Sequence, residues 1–317
     1  MMTDKLPQIT LSQVATELRD TLKKAPRVPV SSTLARWLIR AATKLFLRDR
    51  PHEGLRLEKH VTKEGVHLRV YTPNTQTSRA ALLWIHGGGL VIGNAAQDDG
   101  FCAETARALG MIVVSTEYRL APEFPFPAAL DDCYAAWTWL QDSSSQLNID
   151  KNRIAIGGQS AGGGLAASLV QRIHDTREVQ PAAQWLFCPM LDDRTAASRK
   201  LDDMKHWVWD NQQNRVGWRA YLGTEPGSDT MPDYAVPARR RNLAGLPPTW
   251  IGVGDIDLFF DEDKIYADRL TAVDVDCTFE VVPAAPHAFE TFAPNTDLAR
   301  NYLLRARAWL RQKLITH

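Results

Sequence analysis

The chain has 317 residues, enough for one large α/β domain with a modest insertion, because a single hydrophobic core stops growing at about 250 to 300 residues. Lysine plus arginine and aspartate plus glutamate each number 37, so the formal charge is zero and no net field gathers nucleic acid or anionic lipid; neither partner is expected. The four cysteines, Cys102, Cys133, Cys188 and Cys277, lack the close spacing of a zinc site or a redox pair, so they read as reduced and buried and no metal is expected.

The segment Met1 to Asp20 carries charges at Asp4, Lys5, Glu17, Arg19 and Asp20 and has no apolar core of a secretory signal. No stretch approaches the roughly 18 consecutive apolar residues of a membrane span, so a soluble, cytoplasmic protein is expected. Leu11, Val14, Leu18 and Leu22 recur at helical spacing, as do Leu34, Trp37, Leu38, Ala41 and Leu45, with a break over 25–32 that contains Pro26 and Pro29. Two alternating segments, Leu55 to Val61 and Val66 to Tyr71, flank Lys63-Glu64-Gly65 and predict a hairpin.

Short apolar runs then alternate with helical patterns: Ala80 to Ile85, Met111 to Thr116, Arg153 to Ile156, Ala183 to Phe187, Thr249 to Val253 and Thr278 to Val282. Strands alternating with helices predict an α/β fold whose mostly parallel central sheet is flanked by helices on both faces. The rhythm fails between Asp192 and Leu246, where Trp207, Trp209, Trp218 and Tyr221 fall on helix-like spacing; its first half, about 192–225, reads as a helical cap insertion within a domain spanning 51–317.

Arg153 to Gly164 is a strand ending in Gly158-Gln159-Ser160-Ala161-Gly162 and passing into a helix rich in alanine and leucine. A G-x-S-x-G sequence in that context is a nucleophile elbow: the sharp turn strains the serine and demands small residues two positions to either side. A phosphate loop would need a Gly-Lys-Ser/Thr ending, but Leu165 follows Gly164, and the G-x-G-x-x-G spacing of a dinucleotide site is not met. Ser160 is therefore the candidate nucleophile.

Acyl transfer creates an oxyanion, and backbone N–H donors already aimed at it usually supply the largest catalytic effect. The strand from Ala80 to Ile85 runs into His86-Gly87-Gly88-Gly89, where glycines let main chain approach a substrate closely. Gly88, Gly89 and Ala161 are the candidate donors. A glycine-rich loop alone is weak, but this one precedes an elbow by about 70 residues with a strand before each.

Where such an elbow occurs, the partners follow in the order serine, acid, histidine. Of the histidines after Ser160, His174 lies in the elbow helix, His206 precedes the next credible strand and His317 is terminal, which leaves His287 after the last strand as the base. For the acid, Asp255 and Asp257 both follow the strand Thr249 to Val253, and spacing does not choose between them; either could instead cap a helix.

From about residue 55 to the end the chain resembles the hormone-sensitive-lipase-like branch of the α/β-hydrolases. The likeness rests on His86-Gly87-Gly88-Gly89, on Tyr118 to Glu123 with Pro125 to Asp132, on Gly158 to Gly163, on Asp257 to Glu262 and on Pro286-His287. The resemblance implies Asp257 as the acid, a structural role for Tyr118 to Glu123, an N-terminal cap over residues 1–50, no cofactor, and a possible homodimer through the last strand. Three departures stand out: Gln159 replaces the usual acidic residue before the nucleophile, Leu258 the proline after the acid, and Phe260 the arginine of that motif.

The expected activity is that of a serine carboxylesterase, a lipolytic enzyme in the broad sense, acting on small-molecule esters of short to medium acyl chain. Trp37, Trp207, Trp209 and Trp218, with Phe289 beside the base, are the expected lining of the substrate pocket, although the same residues fit a core equally well. The rival readings are a receptor that keeps the pocket without the chemistry, against which the joint presence of Ser160, Asp257 and His287 argues, and an amidase using the same machinery.

Overall fold

The computed structural model describes residues 9–24, 29–46 and 53–315, and of 44–46 only the backbone. The predicted strands form as β1 (Leu55–Val61), β2 (His67–Pro73), β3 (Ala81–Ile85), β4 (Ile112–Glu117), β5 (Ile154–Gln159), β6 (Ala183–Phe187), β7 (Thr249–Gly254) and β8 (Cys277–Val282). They make one sheet in the order β1-β2-β4-β3-β5-β6-β7-β8. β1, β2 and β4 pair antiparallel, and the other pairs are parallel. Every residue of β3, β5, β6 and β7 is buried, which is why these strands read as continuous apolar runs while the edge strand β1 does not.

The helices are α1 (Arg19–Lys24), α2 (Thr33–Phe46), α3 (Asp99–Leu109), α4 (Ala128–Asp142), α5 (Ala161–Thr176), α6 (Asp193–Ala197), α7 (Asn211–Leu222), α8 (Phe260–Thr271), α9 (Phe289–Phe292) and α10 (Asp297–Leu314). They cover both faces of the sheet. Ala81, Leu83 and Ile85 of β3 share one core with Leu130 and Trp137 of α4, Leu165 of α5 and Tyr266 of α8. Leu82 and Trp84 point the other way, into a core shared with Ala103 of α3 and with Tyr302 and Leu310 of α10. The period-2 alternation of one strand thus feeds two cores.

The first helix expected from Leu11, Val14, Leu18 and Leu22 does not form as one piece. Two 3₁₀ turns, Leu11–Gln13 and Thr16–Leu18, precede the short α1, because Val14 and Ala15 are extended and the Ala15 N–H donates to the Ala284 carbonyl at 2.8 Å. Val14, Leu18 and Leu22 are buried all the same, in the core of α3 and α10. The expected break at Pro26 lies partly outside the described residues, as do the boundary near residue 50, the side chain of Leu45, and His317. α2 forms, yet its Leu34, Trp37 and Leu38 face outward; Arg40 holds the helix down by donating to the carbonyls of Val91 and Ala121 and pairing with Glu123.

A buried bidentate pair fixes the antiparallel end of the sheet to α3. Arg69 donates to both Asp99 carboxylate oxygens, at 2.7 and 2.5 Å, and the Tyr71 hydroxyl donates to Asp99 at 2.6 Å. Asp99→Ala strands this buried guanidinium without its carboxylate and should cost roughly 3–5 kcal/mol, read as a lower urea midpoint, while the folded variant keeps its ester hydrolysis.

Candidate active site

Ser160 occupies the turn between β5 and α5 with φ 55° and ψ −120°, a conformation that costs a non-glycine residue about 1–3 kcal/mol. Hydrogen bonds on both sides hold it there: its N–H donates to the Phe187 carbonyl at 2.8 Å, and its carbonyl accepts from Met190 at 2.9 Å and Gly164 at 3.0 Å. A β-carbon on Gly162 would overlap the carbonyls of Ile85 and His86, and one on Gly158 would overlap that of Gly162. These two glycines let the elbow sit against the end of β3, with Ser160 as the N-cap of α5, at the end of the helix that favours negative charge.

His287 Nε2 lies 2.9 Å from Ser160 Oγ, and His287 Nδ1 lies 2.8 Å from Asp257 Oδ2. A carboxylate only accepts, so Nδ1 carries the proton and Nε2 is left to accept from the serine hydroxyl. All three residues are buried at about the same depth. The other Asp257 oxygen accepts from the Phe259 N–H at 2.9 Å, and the Phe259 ring stands edge-on to the imidazole at 5.2 Å. Asp255, the alternative acid, is exposed and accepts from the Ala284 N–H at 2.6 Å, fixing the strand end instead. The thiol of Cys188 lies near enough to Asp257 and His287 to make a metal-sized cluster. Burial holds that thiol well above its usual pKa, and both imidazole nitrogens are already engaged, so the donor set is a poor fit to a metal ion.

Gly88 and Gly89 have φ of 121° and 59°, and a β-carbon on Gly89 would overlap the Trp209 ring. The N–H groups of Gly88, Gly89 and Ala161 have no hydrogen-bond partner among the described residues. His86 does not face substrate. It is fully buried and stacked on Tyr118 at 4.2 Å, while its carbonyl accepts from the Tyr118 hydroxyl at 2.9 Å. Burial lowers the pKa of His86 and keeps its ring neutral. Tyr118 thus supports the glycine loop, as the motif's expected structural role requires.

The expected pocket aromatics do not gather in one place. Trp209 packs over Gly89, and half-buried Trp207 donates to the Ile9 carbonyl at 3.0 Å. Trp218 and Phe289 are only 2% exposed, Trp218 in the core with Tyr221 and Phe289 against Tyr302, so neither offers a face to a ligand. Trp37 is 63% exposed on the outer side of α2. A cavity of about 400 Å³ lies on the Asp257 side of the triad, lined by Ile9, Leu201, Met204, His206, Ile256 and Phe260 and not by Ser160 or His287. Sequence reasoning did not place these residues beside the acid; the only signal was that 201–206 lie where the strand–helix rhythm is lost.

Residues 82–291 match the family model described as alpha/beta hydrolase fold. The chain belongs to the α/β-hydrolase family. It is 33% identical over 263 residues to Esterase LipI of Mycobacterium tuberculosis, an alignment covering 80% of this chain and 82% of that one. Among solved structures, Bacterial Heroin Esterase superposes with a TM-score of 0.89 at 34% identity, covering 96% of this chain and 99% of the other. An esterase from the bacterial hormone-sensitive lipase family does so with a TM-score of 0.76 at 28% identity, covering 95% and 99%. The protein is a serine carboxylesterase of the hormone-sensitive-lipase-like branch.

The two aspartates should separate cleanly in kinetics. Asp257→Asn removes the acceptor that sets the imidazole tautomer and should lower kcat by about 10³- to 10⁴-fold, whereas Asp255→Asn should change it less than about tenfold, both measured on p-nitrophenyl butyrate.

Proposed function

We propose that the protein hydrolyses short- to medium-chain carboxylic esters through an acyl-enzyme on Ser160. The observation that carries this reading is the continuous path from Asp257 through His287 to Ser160, together with three backbone N–H groups of the glycine loop and elbow that have no partner among the described residues. Ser160 Oγ attacks the ester carbonyl while His287 Nε2 takes its proton; the carbonyl oxygen becomes anionic and is received by the N–H groups of Gly88, Gly89 and Ala161. Collapse expels the alcohol, which takes the proton back from His287 and leaves the acyl group on Ser160. Water then repeats the sequence, its proton passing to His287 and on to Ser160 as the acid departs. Asp257 keeps the ring oriented and stabilises the imidazolium without accepting the proton.

The preference for modest chain length is supported by the Trp209 ring lying against Gly89, which restricts the space above the loop. In the same reading α2 and the α6–α7 segment serve as the cap, with Asp210 and Gln213 forming a reciprocal capping box that starts α7 over the glycine loop.

Two measurements check this. Activity across p-nitrophenyl acetate, butyrate, octanoate and palmitate should peak at a short or medium chain and fall by several orders of magnitude in Ser160→Ala; faster turnover of palmitate than butyrate would overturn the chain-length reading. Matched ester and amide substrates should differ in kcat/KM in favour of the ester, and a preference for the amide would make the protein an amidase.

A further inference from the structure

The cavity on the Asp257 side of the triad has a charge pattern of its own. Asp255, Asp257 and Asp261 line it, and no lysine or arginine is among its described lining residues. Ile9, Leu201, Met204, Ile256, Leu258 and Phe260 supply an apolar wall. Asp257 uses its two oxygens on His287 and on the Phe259 N–H. Asp255 is exposed and gives one oxygen to the Ala284 N–H, which leaves the other without a partner among the described residues. Asp261 is exposed too, and its carboxylate has no partner among the described residues. The enclosed Nδ1 of His206, also on the cavity wall, is likewise unpartnered.

Position 260 explains why the acids stand without a cation. The acid motif that the chain resembles carries arginine there, and this chain has Phe260. An arginine would tether a guanidinium next to Asp261; phenylalanine leaves the carboxylates uncompensated and adds an aromatic ring to the wall, in contact with Phe279 at 6.2 Å. The dipole of α8 accounts for an acid in its first turn at Asp261. It does not account for Asp255, for the bare His206 nitrogen or for an apolar hollow lined by acids alone. Burial lowers the pKa of His206, and a neutral imidazole can present Nδ1 as an acceptor.

We infer that this cavity is a binding site for an organic ammonium ion with an apolar body. The ammonium N–H groups are received by the carboxylates of Asp255 and Asp261 and by His206 Nδ1, and the Phe260 ring adds a cation–π attraction. The hydrocarbon is covered by Leu201, Met204 and Ile256. A volume of about 400 Å³ lies within the range of small-molecule sites. An anion is repelled here, an uncharged molecule gains only the apolar contacts, and a hard metal ion gains nothing from the apolar wall. Neither Ser160 nor His287 lines the cavity, so binding needs no catalytic serine and stands apart from the triad reading.

The test is isothermal titration of the protein with 4-phenylbutylamine and with the uncharged 4-phenylbutan-1-ol at about pH 7.5, where the amine is protonated. The amine should bind at least about tenfold more tightly than the alcohol. Asp255→Asn and Asp261→Asn should each weaken the amine about three- to tenfold while moving the alcohol by less than about twofold. Phe260→Arg should weaken the amine by at least about tenfold, because its own guanidinium takes the acids. Ser160→Ala should bind the amine as the parent does. No measurable amine binding, an alcohol bound as tightly as the amine, or an amine affinity that none of these three cavity substitutions lowers would overturn the proposal. If Phe260→Arg does not fold, the two exposed aspartates carry the same readout. Failure of the triad reading would appear in ester hydrolysis and leave this titration unaffected.

Discussion

The strained backbone at Ser160 is the constraint on which the rest of the site depends. A left-handed φ on a residue with a side chain persists only where the surroundings leave no cheaper choice. Here β5 is paired on both sides, to β3 and to β6, and the serine's N–H is taken by Phe187 at the end of β6 and its carbonyl by Met190 just beyond that strand and by Gly164 of α5. Relaxing the turn would break those bonds and lift α5 off the sheet. The strain is therefore sustained by the buried strands, and its product is a hydroxyl standing clear of the sheet at the start of a helix.

Around that turn the carboxylates divide the work by environment. Asp257 is buried and takes the imidazole; Asp255, two residues earlier, is exposed and fixes the Ala284 N–H. Glu262, the last residue of the acid motif, is buried on α8 and accepts from the N–H groups of Leu191 and Asp192, which pins the root of the α6–α7 insertion. Burial pushes its pKa well above the carboxylate range. Residue type alone would make these groups interchangeable, and the local backbone decides which of them meets His287.

Much of this was legible in the sequence because it is written in short-range rules. The eight strands fall within three residues of the alternating and apolar runs, and in β3, β5, β6 and β7 burial on both faces imposes an unmistakable composition. The elbow and the glycine loop could be read because overlap with Ile85, His86 and Trp209 forbids any larger residue there. What could not be read depends on contacts between distant segments. The Leu11 to Leu22 stripe is helical in spacing, but an extended Ala15 bonded to Ala284 interrupts it. Tryptophans at 207, 209 and 218 share one stretch of chain yet end up against Ile9, over Gly89 and inside the core. Aromatic character says that a side chain will be covered; it does not say by what. The Gln159 amide donates to Glu290 across 131 positions, a contact with no local signature at all.

The central claim is that Ser160 carries the acyl group during turnover. Rapid acid quenching of the protein during hydrolysis of p-nitrophenyl butyrate, followed by peptide mass spectrometry, tests it most directly. The account predicts one butyryl group on the peptide that contains Ser160, absent from Ser160→Ala. Steady turnover with no acylated peptide, or with the label on another residue, would contradict it.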